Sequence, residues 1–138
     1  MMEENAFIIT KELLPMEFSA KQSFRYFVKG IDEICPSYQI SKFGLSLERT
    51  KAYVTLSVFL FIDNCHKIDI AVLNSVIAQK TFNLSCHYLN DIGQVLETVT
   101  IQNAKLTTAN YSELNYSSNE TAKVELFFEA DISCVSFE

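Results

Sequence analysis

Apolar and polar positions alternate along most of this chain, and in one place the period changes. Gln22–Val28 sets Phe24, Tyr26 and Val28 on one side and Ser23, Arg25 and Phe27 on the other, which predicts a strand. Lys29-Gly30-Ile31-Asp32 follows as a turn. Ser37–Leu47 is a weaker strand pattern, with Tyr38, Ile40 and Lys42 facing one way and Gly44 marking a bend or bulge. Glu48-Arg49-Thr50-Lys51 is a charged tip. Ala52–Asp63 carries the strongest strand signal: Val54, Leu56, Val58, Leu60 and Ile62 fill one face. Phe59 and Phe61 on the other face predict that its second half is covered on both sides.

The period then lengthens. Ile68, Val72, Leu73, Val76 and Ile77 recur at helical spacing and predict one amphipathic helix over Cys65–Gln79, with Asp63 or Asn64 as N-cap. Period 2 returns in Phe82–Leu89, where Phe82, Leu84, Cys86 and Tyr88 share a face. Asn90-Asp91-Ile92-Gly93 is a hairpin turn, and Gln94–Asn103 is the partner strand. Residues 105–120 are polar and read as turns. Ala122–Ile132 is a further strand, which Ser133–Phe137 extends or adds to. The class is therefore mostly β: a β-sandwich or half-barrel of about six antiparallel strands with one flanking α-helix, spanning residues 1–138 as a single domain. Residues 1–20 have no period. Phe7, Ile8, Ile9, Leu13 and Leu14 are interrupted by Pro15, and an arm that docks on the domain or a neighbour competes with a frayed terminus.

Composition narrows the function classes. The net charge of −6 argues against stable binding to a phosphate backbone. The acidic start Met1-Met2-Glu3-Glu4-Asn5 is unlike a basic secretory n-region, so a cytosolic product with reduced Cys35, Cys65, Cys86 and Cys134 is expected. The apolar run Val54–Ile62 is far shorter than the ~20 residues of a spanning helix, so no membrane anchor is expected. Eleven Phe and six Tyr exceed what a small core uses, and they leave a subunit interface in competition with core packing. Tyr111 and Tyr116, in a polar stretch, sharpen that alternative.

Candidate chemistry is sparse. Cys65-His66 and Cys86-His87 are the sole metal-like pairs in the sequence, and neighbours on a strand diverge to opposite faces. The same divergence defeats a Cys–His nucleophile pair. Three scattered glycines, Gly30, Gly44 and Gly93, make no phosphate-cradling loop. No catalytic residue, metal or cofactor is assigned, and the expectation is a non-enzyme.

Several short elements then fall in a recognisable order. Phe61-Ile62-Asp63-Asn64 leads directly into the helix. Leu89-Asn90-Asp91-Ile92-Gly93 joins two strands, the second ending in Ile101-Gln102-Asn103-Ala104. Ser112-Glu113-Leu114-Asn115-Tyr116 and Ser118-Asn119-Glu120-Thr121 then precede the last long strand. Over residues 35–132, and most clearly 87–132, this resembles the tail tube proteins of contractile, T4-like bacteriophage tails. The resemblance implies a virion protein forming homo-hexameric rings that stack into a tube, with sheath, baseplate and tape-measure proteins as partners. DNA would pass through without specific binding, eased by a negative lumen. It implies an inter-ring loop at Leu45, Ser46, Leu47, Glu48, Arg49, Thr50 and Lys51, a subunit-interface loop at Tyr111, Leu114 and Tyr116, and neighbour contacts from residues 1–20 and 133–138. The alternatives are a tube-initiator, baseplate or tail-completion adaptor protein, and a monomeric β-sandwich binding module. An enzyme using Cys86 or His87 is the remaining rival.

Overall fold

The computed structural model describes residues 25–90, 92–111 and 122–138. Its elements run β1 (Arg25–Lys29), β2 (Ile40–Leu47), β3 (Lys51–Phe59), α1 (Cys65–Ile77), β4 (Thr81–Leu89), β5 (Val95–Tyr111), β6 (Lys123–Asp131) and β7 (Val135–Phe137). The strands form one antiparallel, open sheet in the order β1-β4-β5-β6-β3-β2, with the short β7 beside β5. The mostly-β class with one flanking helix is the architecture observed, with β7 as a seventh strand.

β5 lets this sheet curl. One of its edges holds β4, while the other holds β7 at Val99–Ile101 and β6 from Lys105 to Tyr111. Three register shifts bend it, one between Ile101 and Ala104, one between Leu106 and Thr108 and one between Val95 and Glu97. An inserted residue raises local twist and bends the bulged strand. At the first bulge Asn103 takes φ +55, a left-handed conformation that asparagine tolerates, and its N–H donates to Asn83 Oδ1 at 3.0 Å. The insertion resets the alternation, so Val99, Ile101, Ala104 and Leu106 all face inward and are buried. The expected turns of 105–120 are thus strand up to Tyr111; the rest, 112–120, lies outside the described residues.

The core occupies the inner face of the curl. Ala52, Val54, Leu56 and Val58 of β3 meet Val124, Leu126 and Phe128 of β6, and Phe82, Leu84, Cys86 and Tyr88 of β4 close the space. Phe82 and Phe128 pack edge to face at 5.8 Å between centroids, tying the two halves together. Burial of a side chain such as Leu126 contributes about 1.5–3 kcal/mol. Ile68 and Val72 bring α1 onto this core.

Two expectations fail in register. Ser37–Gln39 is a 3-10 turn that leaves Tyr38 exposed, and a bulge between Ile40 and Lys42 turns Lys42 outward while Phe43 and Leu45 face the core. β3 stops at Phe59, so Ile62 is 97% exposed instead of filling the core face. Phe61 carbonyl accepts from the N–H groups of Asn64 and Cys65, which turns the chain, and Gln39 Nε2 donates to Phe59 O at 2.7 Å. Asn64 occupies the N-cap position as expected, but its side-chain amide donates to Gln39 Oε1 and makes no capping bond. At the end of β1, Gly30 takes φ +108 against the backbone of Asn83, a fit that no side chain shares.

Candidate assembly interface

Each terminal strand of the sheet is paired on one side among the described residues: β1 with β4, and β2 with β3. The Glu48 N–H donates to Lys51 O at 2.8 Å and closes the β2–β3 hairpin. Antiparallel alternation then directs the N–H and C=O groups of Leu47, Leu45 and Phe43 away from β3. Such a row of unpaired backbone groups is a template for another strand. The two free edges sit at opposite ends of one sheet, so one copy can offer each edge to a different neighbour.

The outer sheet face is polar. Lys42, Ser57, Glu125 and Asn110 form one cross-strand row, and Ser46, Tyr53, Glu129 and Lys105 form another. Ser57 Oγ donates to Glu125 Oε2 at 3.3 Å, and Lys51 Nζ reaches Glu129 at 3.2 Å and Asp131 at 3.5 Å. Lys29, Lys42, Lys51, Lys105 and Lys123 share the face with Glu125, Glu129, Asp131 and Glu138. The face is close to neutral although the chain carries −6, because the acidic excess lies elsewhere.

The residues singled out in sequence are spread over three places. Leu45, Ser46 and Leu47 belong to β2 and Lys51 opens β3, with Leu45 buried in the core. Glu48, Arg49 and Thr50 form the exposed hairpin tip. Tyr111 ends β5 at a distance in sequence from that tip, and its hydroxyl donates to Asp69 Oδ1 of α1 at 2.8 Å. Burial first, and the bond to Asp69 second, push the Tyr111 phenol well above its usual range. Leu114 and Tyr116 lie outside the described residues.

Sequence reading missed a second apolar surface on α1. The spacing predicts Leu73 and Ile77 on its inner face, but Ile68, Val72 and Ser75 are the residues buried there. Ile70, Leu73 and Ile77 are 46%, 58% and 71% exposed. The signal was present in the spacing, since Ile70, Leu73 and Ile77 also fall on one helical face. The β4–β5 hairpin is apolar at its tip as well, where Ile92, Val95 and Leu96 are exposed. Asn90 fixes that turn by accepting from the N–H groups of Ile92 and Gln94 on Oδ1.

The Cys86–His87 pair has the opposite of an activated geometry. Cys86 is buried, while His87 points to the other face, with Nδ1 3.0 Å from Thr98 Oγ1 and its ring stacked on Phe27. Burial pushes the Cys35 and Cys86 thiols up to about 12, where a thiolate nucleophile is scarce. Among the described residues no group of three His, Cys, Asp or Glu side chains is placed to hold a metal ion. No helix among them is long and apolar enough to cross a membrane.

No protein-family model matches this chain, and no curated protein matches it in sequence. Solved structures do match in shape. A chain in the sheath–tube complex of an extracellular contractile injection system (PVC, extended state) aligns at TM-score 0.60 and 22% identity, over 83% of this chain and 88% of that one. A chain of the anti-feeding prophage tube-terminating cap aligns at TM-score 0.61 and 20% identity, over 83% and 87%. This chain has their fold. A type VI secretion system effector from Yersinia pestis shares it too, at TM-score 0.52 and 11% identity, over 83% and 97%. At such identities the likeness is one of architecture.

Proposed function

We propose that the chain is a structural, non-catalytic subunit of a contractile-tail-like particle, in which six copies join edge to edge into a ring. The free edge of β2 in one copy would lie along the free edge of β1 in the next. A contact between two different surfaces closes into a ring when its rotation closes. Rings would stack into the inner tube, with Glu48, Arg49 and Thr50 reaching the adjacent ring and Tyr111, Leu114 and Tyr116 at the subunit boundary. Sheath, baseplate and tape-measure proteins are the implied partners, and DNA the implied cargo of the virion. The observation that carries this reading is an open sheet with two unlike free edges on a fold shared with injection-system subunits. A lumen lined by the outer sheet face would be near neutral, so passage of DNA would rest on weak adhesion and not on strong repulsion.

A terminating-cap role is the second reading, favoured by the equal likeness to the anti-feeding prophage cap. Negative-stain electron microscopy and mass photometry across a concentration series separate the readings. Stacked rings support the tube subunit, and single rings that never stack support the cap. Leu47→Pro removes an N–H that points away from β3, which an edge strand tolerates. The variant is expected to keep its fold and lose the rings. Monomer alone at every concentration, from a folded wild-type chain, refutes both readings.

A further inference from the structure

We propose that the apolar segment at residues 6–14 covers the outward face of α1 in the same chain. The inference stands on the helix and does not need the ring. Ile70, Leu73 and Ile77 form an exposed stripe directly opposite the buried Ile68, Val72 and Ser75. A helix apolar on two opposed faces belongs in an interior and not on a wetted surface. The described residues cover one face and leave the other open.

The chain before β1 supplies an occupant of matching chemistry. Ala6-Phe7-Ile8-Ile9 and Leu13-Leu14 are apolar, and Glu3, Glu4, Glu12 and Glu17 outnumber Lys11 and Lys21 around them. The stripe is bordered by His66 and Lys67, while Asp69, the acidic residue of α1, is engaged by Tyr111. Reach is not limiting: 24 residues extend to ~80 Å, against a radius of gyration of roughly 14 Å for a domain of this size. A tether that short in sequence holds its segment at an effective concentration on the order of millimolar, ahead of any dilute second copy.

The chain contains no tryptophan, so Leu73→Trp installs a single reporter at the centre of the stripe. In the full chain its emission is expected to be blue-shifted and independent of protein concentration. Deletion of residues 1–20 in the same background should shift it to the red, with far-UV circular dichroism unchanged. Phe7→Asp with Ile9→Asp in the full chain should give the same red shift and covers the case in which the deletion fails to fold. Water-like emission from the full chain at every concentration overturns the proposal. So does emission that neither the deletion nor the aspartates move. A blue shift that grows with concentration overturns it in favour of a contact between copies or, in a ring, between neighbours.

Discussion

Replacing Gly30 by alanine tests how the edge strand β1 is seated. A Cβ at Gly30 would lie 2.0 Å from the carbonyl oxygen of Asn83, a backbone atom of β4 that has no rotamer to yield. Reaching ordinary contact requires a retreat of about 1.4 Å, comparable to overpacking a core, which costs about 1–3 kcal/mol. The backbone at φ +108 adds a further ~1–2 kcal/mol for an L-residue. Gly30→Ala should therefore lose about 2–5 kcal/mol, a large share of the ~5–15 kcal/mol typical of a domain. Gly93 provides the control, since it also has positive φ (+88) but no atom lies within 4 Å of its would-be Cβ. Gly93→Ala should cost only the backbone term, ~1–2 kcal/mol. Urea unfolding of the two variants and the wild type, compared at equal m, measures both numbers. Near-equal destabilisation by the two substitutions would refute the close approach of β1 to β4, and with it the placement of the first free edge.

Stability should also fall on the alkaline side. Cys35 and Cys86 titrate near 12 when folded, against an ordinary value of 9.0, so below pH 9 both states hold the proton. Above it the unfolded thiols ionise first, and each should remove roughly 1 kcal/mol per pH unit. Denaturation at about pH 8 and about pH 10 should show the loss, and Cys35→Ala with Cys86→Ala should flatten it; Tyr26 and Tyr88, also held high by burial, join only above pH 10. At the β5 bulge, Asn103→Gly should leave the melting temperature nearly unchanged, whereas Asn103→Val, branched at φ +55, should destabilise by about 1–2 kcal/mol.

Much of the fold was legible because burial in a sheet has period 2. The inner faces of β3, β4 and β6 could be read from Val54–Val58, Phe82–Tyr88 and Val124–Phe128, and the Asn90–Gly93 turn followed from its residue types. The period failed where the chain breaks it by design. A bulge at Ser41 inverts the facing of β2, and Asn103 with the bulge near Thr107 hides the second half of β5 among polar residues that face outward. The stop after Phe59 was not legible, because Gln39 holds the end of β3 from twenty positions away. The assembly surface was the least legible part. Free edges are made of backbone, which every residue carries, and the outer stripe of α1 looked in sequence like a thicker inner one.

The strand order also has a consequence in time. Edge strand β1 lies near the start of the described chain, while the strand that fixes it arrives late, since Lys29 pairs with Ser85; edge strand β2 pairs locally with β3, and that hairpin waits for β6, since Lys51 pairs with Asp131. A ribosome therefore releases β1 long before β4 exists to hold it, and the β2–β3 hairpin long before β6 can join it to the sheet. Pairing between such distant positions makes for slow, largely post-translational closure. Until β5 and β6 emerge, β1 and the β2–β3 hairpin belong to no common sheet, so the two edges take their final places only when the whole sheet closes.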